Sequence, residues 1–239
     1  MKKHAFLQYI FLFFLSFLFL VVKVQATPVI LGVPFTSQAP EGKWVEPWDN
    51  ACEETSMVMV EMYYRGNWNL DVPKSKKEIQ YVLNQKESLY GISKDESPER
   101  IVEMIHNFYK RDASLEKNIT VEKIKHELDG GYPVIIPFDT RLVRNPNFIP
   151  PKPTYHVGVI IGYDDQTQEF VVHDPGTSDG KQFRYKYTEL LNANKIYTVR
   201  DTGEVRGGEA VFTSSIRVDA GKGLLAKFFD AVKSLITRF

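Results

Sequence analysis

The hydrophobic pattern changes period along this chain. From Cys52 to Tyr64 no breaker interrupts the run, and Met57, Val60, Met62 and Tyr64 predict a buried, helix-length segment that Gly66 ends. Cys52 stands at or near the N-terminus of that helix. Lys74 to Ser88 predicts a second helix on Ile79, Val82 and Leu83. A third begins with Ser97 as N-cap and Pro98 at its first position, with Ile101, Val102, Ile105, Phe108 and Tyr109 as its apolar stripe. A fourth runs from Thr120 to Asp129, with Ile124 and Leu128 inward and Gly130-Gly131 as the stop. The period then falls to two. Tyr132 to Phe138, Tyr155 to Tyr163, Glu169 to His173, Lys195 to Val199 and Ala210 to Ile216 are short β-branched or aromatic runs bounded by turn residues. Val29 to Phe35 is at best an extended arm. Helices first and strands after predict an α+β fold, with N-terminal helices packed on an antiparallel sheet.

Two terminal segments stand apart. Lys2 and Lys3 precede a nearly unbroken apolar run from Phe6 to Val22, and Val24-Gln25-Ala26 offers a cleavage site. Residues 1–26 are therefore expected to be a signal peptide, cleaved or retained as an anchor, and the rest of the chain is expected to be exported, secreted or extracytoplasmic. Residues 27–216 form the expected domain. Residues 217–239 form a C-terminal amphipathic helix on Leu224, Leu225, Phe228, Val232, Leu235, Ile236 and Phe239. Docking on the domain and peripheral contact with a membrane surface both fit that basic, Phe-rich helix.

Charge narrows the partners. The first 26 residues hold three lysines and no acid, which leaves the remainder at a formal −3 out of an overall charge of zero. Nucleic acid is not expected as a partner, because phosphate neutralisation needs a basic surface. No HExxH or other metal-ligand spacing occurs among the scattered histidines, so neither a metal nor a cofactor is expected.

Candidate chemistry centres on Cys52, the only cysteine. One thiol makes no intramolecular disulfide, and its plainest reading is a small buried hydrophobe. A helix N-terminus and a nearby imidazolium would each lower its pKa and favour the nucleophilic thiolate. His156 opens an apolar strand and is the candidate base. Asp174 ends the next strand, and counting outward from the Asp164 to Gln168 turn brings residue 156 near residue 174, so Asp174 is the candidate for orienting the imidazole. His173, on the opposite face, reads as structural. Glu53 and Glu54 read as acids favoured in the first helical turn. Gln38 fits an amide donor to a developing oxyanion, and equally a solvated loop residue. The Asp139 to Thr154 loop, with four prolines, leads straight into His156 and is expected to shape specificity.

The ordered set of Ser37-Gln38, Cys52 at a helix start, Tyr155-His156-Val157 and Val172-His173-Asp174-Pro175-Gly176 resembles the bacteriocin-leader-processing (double-glycine) cysteine peptidase family, in its stand-alone exported branch. The likeness spans roughly Val33 to Val199. It implies a papain-like fold, a peptide or protein substrate, Cys52 as nucleophile, His156 as base, Asp174 as orienting acid and Gln38 in the oxyanion hole. Glu53 stands where that family usually has glycine, and Gln38 lies further before Cys52 than is usual. The function expected is peptide-bond hydrolysis through a Cys-His-Asp acyl-enzyme. A catalytically silent peptide-binding module of the same fold and a cell-wall amidase or peptidoglycan peptidase are the alternatives.

Overall fold

A computed structural model describes residues 27–217. The leader and the C-terminal amphipathic helix lie outside the described residues, apart from Arg217 itself. The first helix, α1 (Cys52–Tyr64), is buried from Cys52 through Met62, which explains why its pattern shows no polar stripe. Helix α2 (Val72–Tyr90) is capped by Asp71, whose side chain accepts the Lys74 N–H at 3.0 Å. Helix α3 (Pro98–Met104) follows the Ser97 cap and runs on as a π-helical turn, Ile105–Tyr109. Helix α4 (Val121–Asp129) starts at Thr120, which caps Lys123 N–H.

The strands are β1 (Val29–Ile30), β2 (Arg111–Lys117), β3 (Val134–Phe138), β4 (His156–Asp164), β5 (Glu169–His173), β6 (Phe183–Lys186), β7 (Tyr197–Thr198), β8 (Val205–Arg206) and β9 (Glu209–Arg217), with helix α5 (Tyr187–Lys195) between β6 and β7. The main sheet has the order β2-β9-β3-β4-β5-β6 and is antiparallel throughout, while β7 and β8 form a separate ladder. Strand β1 pairs with β4 at Gly162 and Tyr163, just past the end of the β3 ladder.

Both faces of the sheet are covered. On one, Met57, Val58 and Met62 of α1 pack with Ile135, Val157, Val159, Val171 and Val211. On the other, Ile124 and Leu128 of α4 and Leu190 of α5 pack with Ile136, Phe138, Ile160, Phe170 and Val172. Each such fully buried aliphatic contributes about 1.5–3 kcal/mol of transfer free energy. The α+β architecture agrees with the sequence pattern, but the helices are not confined to one side.

Several elements depart from expectation, helix α5 and the short strand β8 among them, which the pattern does not predict. Strand β2 carries Arg111, Asp112, Glu116 and Lys117 and buries little of its length; it forms because β9 offers a long partner, not because its own pattern is apolar. Strand β6 is short and alternates, with Tyr185 buried and Arg184 and Lys186 exposed. The run expected as a strand from Lys195 to Val199 begins with the last residue of α5, and only Tyr197 and Thr198 are strand.

Candidate active site

Cys52 is the first residue of α1, and 4 % of its surface remains exposed at the wall of a cavity of about 390 Å³. Gln38, Trp44, Phe148, His156 and Arg200 line the same cavity. The helix N-terminus supplies the partial positive charge expected near a thiolate. Other groups oppose it. Burial first, then the charge and hydrogen bond of Glu53, push the Cys52 thiol well up. The Cys52 Sγ–H donates to Glu53 Oε2 at 3.0 Å.

His156 opens β4 and is 3 % exposed. Its Nε2–H donates to Asp174 Oδ1 at 2.7 Å, which leaves Nδ1 with the basic lone pair. Phe138 and Phe148 meet the imidazole edge-on, each with ring centroids 5.3 Å away. Gly176 closes the remaining side: a Cβ there would stand 2.6 Å from His156 Cε1 and 3.0 Å from Phe148 Cε1. Only a residue without a side chain admits the ring at this spot.

Asp174 is completely buried and accepts four hydrogen bonds. Its Oδ1 takes His156 Nε2–H and the Gly176 N–H at 3.0 Å; its Oδ2 takes Tyr185 O–H at 2.6 Å and Asn145 Nδ2–H at 3.3 Å. Burial works to raise its pKa, yet the charge and hydrogen bond of His156, aided by Tyr185 and Gly176, hold the carboxyl below its usual range. Burial, followed by the Asp174 charge, pushes the Tyr185 hydroxyl far up, so it remains a donor.

A β-bulge makes this pairing possible. The β4–β5 register shifts between Ile160 and Gly162, so that Ile160 faces Val172 and Val159 faces His173. One residue further, Asp174 comes across from Gly158, on the face His156 shares. An unbulged hairpin would set Asp174 across from Val159, on the opposite face, because one residue of slip exchanges the two faces of a strand.

Gln38 is 4 % exposed. Its backbone N–H donates to Pro175 O at 3.0 Å and its Nε2 donates to Trp48 O at 3.0 Å. An amide nitrogen has two hydrogens, so one remains for the cavity. The solvated-loop alternative for Gln38 is excluded by its burial. His173 is structural, as its face implies: Nε2–H donates to Val33 O at 2.9 Å, Nδ1 accepts the Gln182 N–H at 3.1 Å, and burial above all lowers its pKa to about 4.

Glu53 and Glu54 differ most from expectation. Instead of capping the helix in solvent, both are fully buried. Glu54 Oε1 lies 2.6 Å from Lys86 Nζ, and Glu53 Oε1 accepts the Glu96 N–H at 2.8 Å. Arg200, at the cavity wall, holds Asp95 through Nε at 2.9 Å and Asn50 through Nη2 at 2.7 Å. These contacts join α1 to residues far along the chain, which local spacing does not encode. Local spacing does not encode the roles of Tyr185 and Asn145 either; the alternation of Phe183 to Lys186 is the one signal that turns Tyr185 inward.

Comparison with known proteins bears on the fold and the family. A search of the curated proteins finds no match. Among solved structures, a crystal structure of a protein from Bacillus anthracis described as a C39-like peptidase aligns with a TM-score of 0.52 at 17 % identity, covering 80 % of this chain and 100 % of that one. At that identity the likeness is one of fold. The model of the Peptidase C39-like family matches residues 30–202, a span that includes Gln38, Cys52, His156 and Asp174, and the chain belongs to this family of papain-like cysteine peptidases.

Proposed function

We propose that this chain is a thiol peptidase that hydrolyses peptide bonds through an acyl-enzyme, exported by the leader pattern at residues 1–26. The single observation that supports it best is the His156–Asp174–Tyr185 chain of hydrogen bonds beside the cavity that Cys52 lines. With Nε2–H committed to Asp174, Nδ1 of His156 is the atom that can take the thiol proton. The sulfur attacks the scissile carbonyl carbon; the imidazolium then returns its proton to the leaving amine. Water, deprotonated by the same Nδ1, releases the acyl group and regenerates the thiol. The second hydrogen of Gln38 Nε2 and a backbone N–H at the start of α1 would receive the oxyanion. The cavity, with Trp44 and Phe148 on its wall, suits an extended peptide.

One observation favours the silent-module reading: the thiol donates to Glu53 and its pKa is raised, not lowered. Alkylation of Cys52 by iodoacetamide as a function of pH, in wild type and His156→Ala, separates the two. A rate that falls in His156→Ala, together with cleavage of a peptide library that Cys52→Ala abolishes, supports the peptidase. A rate indifferent to His156 and a library left intact would leave only binding.

A further inference from the structure

The cluster behind the nucleophile holds more acid than base. Four carboxyls, Glu53, Glu54, Asp95 and Glu96, are buried there. Facing Glu53 are Cys52 and Glu54 of its own helix, Asp95 and Glu96 of the segment before α3, Lys86 of α2, Tyr155 before β4 and Arg200 after β7. The two strong cations are already engaged: Lys86 with Glu54 at 2.6 Å and Glu96 at 3.7 Å, and Arg200 with Asp95. Arg100, paired with Glu103 at 3.0 Å, reaches the cluster from its rim through Glu96 alone, at 4.0 Å. The contacts of Glu53 are the Glu96 N–H and the Cys52 thiol. A carboxylate oxygen 3.0 Å from a sulfur needs a proton between them, since two bare anions would repel.

We propose that Glu53 is a second proton partner of the nucleophile, which releases Cys52 for attack when its carboxyl is protonated and restrains it when ionised. This rests on the peptidase reading above. In the ionised state the thiol proton lies in the S–H···O bond to Glu53, and loss of that proton would leave two adjacent anions. In the protonated state the balance changes. The thiol proton passes from Sγ to Nδ1 of His156, and the sulfur anion accepts the O–H of Glu53; no other bond breaks. The Glu96 N–H on Oε1 fixes the carboxyl so that Oε2 faces the sulfur in both states. Burial, followed by the charges of Glu54 and Asp95, pushes the Glu53 carboxyl well above the usual range. Activity should therefore fall as pH rises through the Glu53 titration, and a carboxamide there should remove that fall.

The test is the pH profile of iodoacetamide alkylation in wild type, Glu53→Gln and His156→Ala, with folding checked by near-UV circular dichroism. At pH 8, Glu53→Gln should alkylate at least about tenfold faster than wild type, one unit of thiol pKa being tenfold in thiolate. A folded Glu53→Gln protein no faster than wild type at any pH overturns the proposal. Indifference to His156→Ala would instead overturn the peptidase reading, so the two failures are distinguishable. Should Glu53→Gln not fold, carboxyl-¹³C NMR of Glu-labelled wild type and Cys52→Ala decides. A glutamate titrating above the ordinary value of about 4.3 whose midpoint moves in Cys52→Ala supports the shared proton, and no such coupled glutamate overturns it.

Discussion

Replacing Asp174 with asparagine changes one atom and breaks the geometry around His156. Four donors converge on the two carboxylate oxygens: His156 Nε2–H, Gly176 N–H, Tyr185 O–H and Asn145 Nδ2–H. An asparagine oxygen can accept two of them, but its NH2 accepts none. If the NH2 turns toward Tyr185 and Asn145, a buried donor loses its acceptor, because Asn145 is held in orientation by Asn147 N–H on its Oδ1 at 2.9 Å. If it turns toward His156, the imidazole must present Nε2 as acceptor and carry its proton on Nδ1, the atom meant to take the thiol proton. A lost charge-assisted hydrogen bond costs about 1.5–3 kcal/mol and a stranded donor about 1–3, so destabilisation of about 3–5 kcal/mol is expected. Catalysis should fall by about 10³–10⁴, the scale of an Asp-to-Asn change in a Ser-His-Asp triad. The carboxyl is depressed, so the stability it supplies is present above the unfolded carboxylate pKa and lost as pH falls through the lower folded value; Asp174→Asn should lose that acid dependence. Urea denaturation gives the stability, peptide hydrolysis the rate, and ¹⁵N NMR of the imidazole the tautomer. A variant with a tenth or more of wild-type activity and an unchanged Nε2–H tautomer would refute the reasoning.

His173 is buried and neutral, with a folded pKa of about 4, below the unfolded value. Its sign follows: the unfolded chain binds the extra proton, so stability is full above about pH 6.5 and declines as pH falls to about 4, by about 3 kcal/mol. Denaturant midpoints at pH 7.5 and pH 5 should differ in wild type, and a His173→Gln variant should lose most of that difference; equal slopes in the two proteins would contradict it. Gly176→Ala should push the imidazole from its place and lower kcat/KM by about 10²-fold, at a stability cost of about 1–3 kcal/mol measured by urea titration; an unaffected rate would show that the ring has room. Lys86→Met removes the cation 2.6 Å from buried Glu54 and should cost about 3–5 kcal/mol, lowering Tm by about 10 °C in a thermal scan; a shift under about 3 °C would show that the ion pair does not hold α1 to α2.

What was legible in the sequence follows from what each signal encodes. The apolar run after Cys52, the Ser97-Pro98 and Thr120 helix starts, and the runs at Tyr155 and Glu169 are local and strong, and their elements stand where the pattern sets them. Strand β2 was not legible, because four of its seven residues are charged and its order comes from pairing with β9. The site divides the same way. Cys52, His156 and Asp174 announce themselves by residue type and order. Glu53 was legible as an acid beside the thiol but not as a buried one, since its burial is imposed by Glu96, Asp95 and Tyr155 arriving from elsewhere.

The hairpin between β4 and β5 shows where counting stops. Residue numbers alone bring His156 and Asp174 to the same end of the ladder, and they do meet at 2.7 Å. The register of the turn-end pair Asp164–Glu169, carried on without an irregularity, would put the two side chains on opposite faces. The inserted residue between Ile160 and Gly162 turns the first half of β4 over, so that His156, Gly158 and Ile160 join the face of Phe170 and Val172. No residue type marks that bulge. It lies where β4 exchanges one neighbour for another, β3 giving way to β1 at Gly162, whose lack of a side chain lets the Val29 carbonyl approach to where a Cβ would lie 2.2 Å away. The arm that carries Val29 also leads to Gln38. The same edge of the sheet therefore sets the face of the histidine and the entry of the amide, which is why the arm reads as idle in the sequence and is part of the site in the fold.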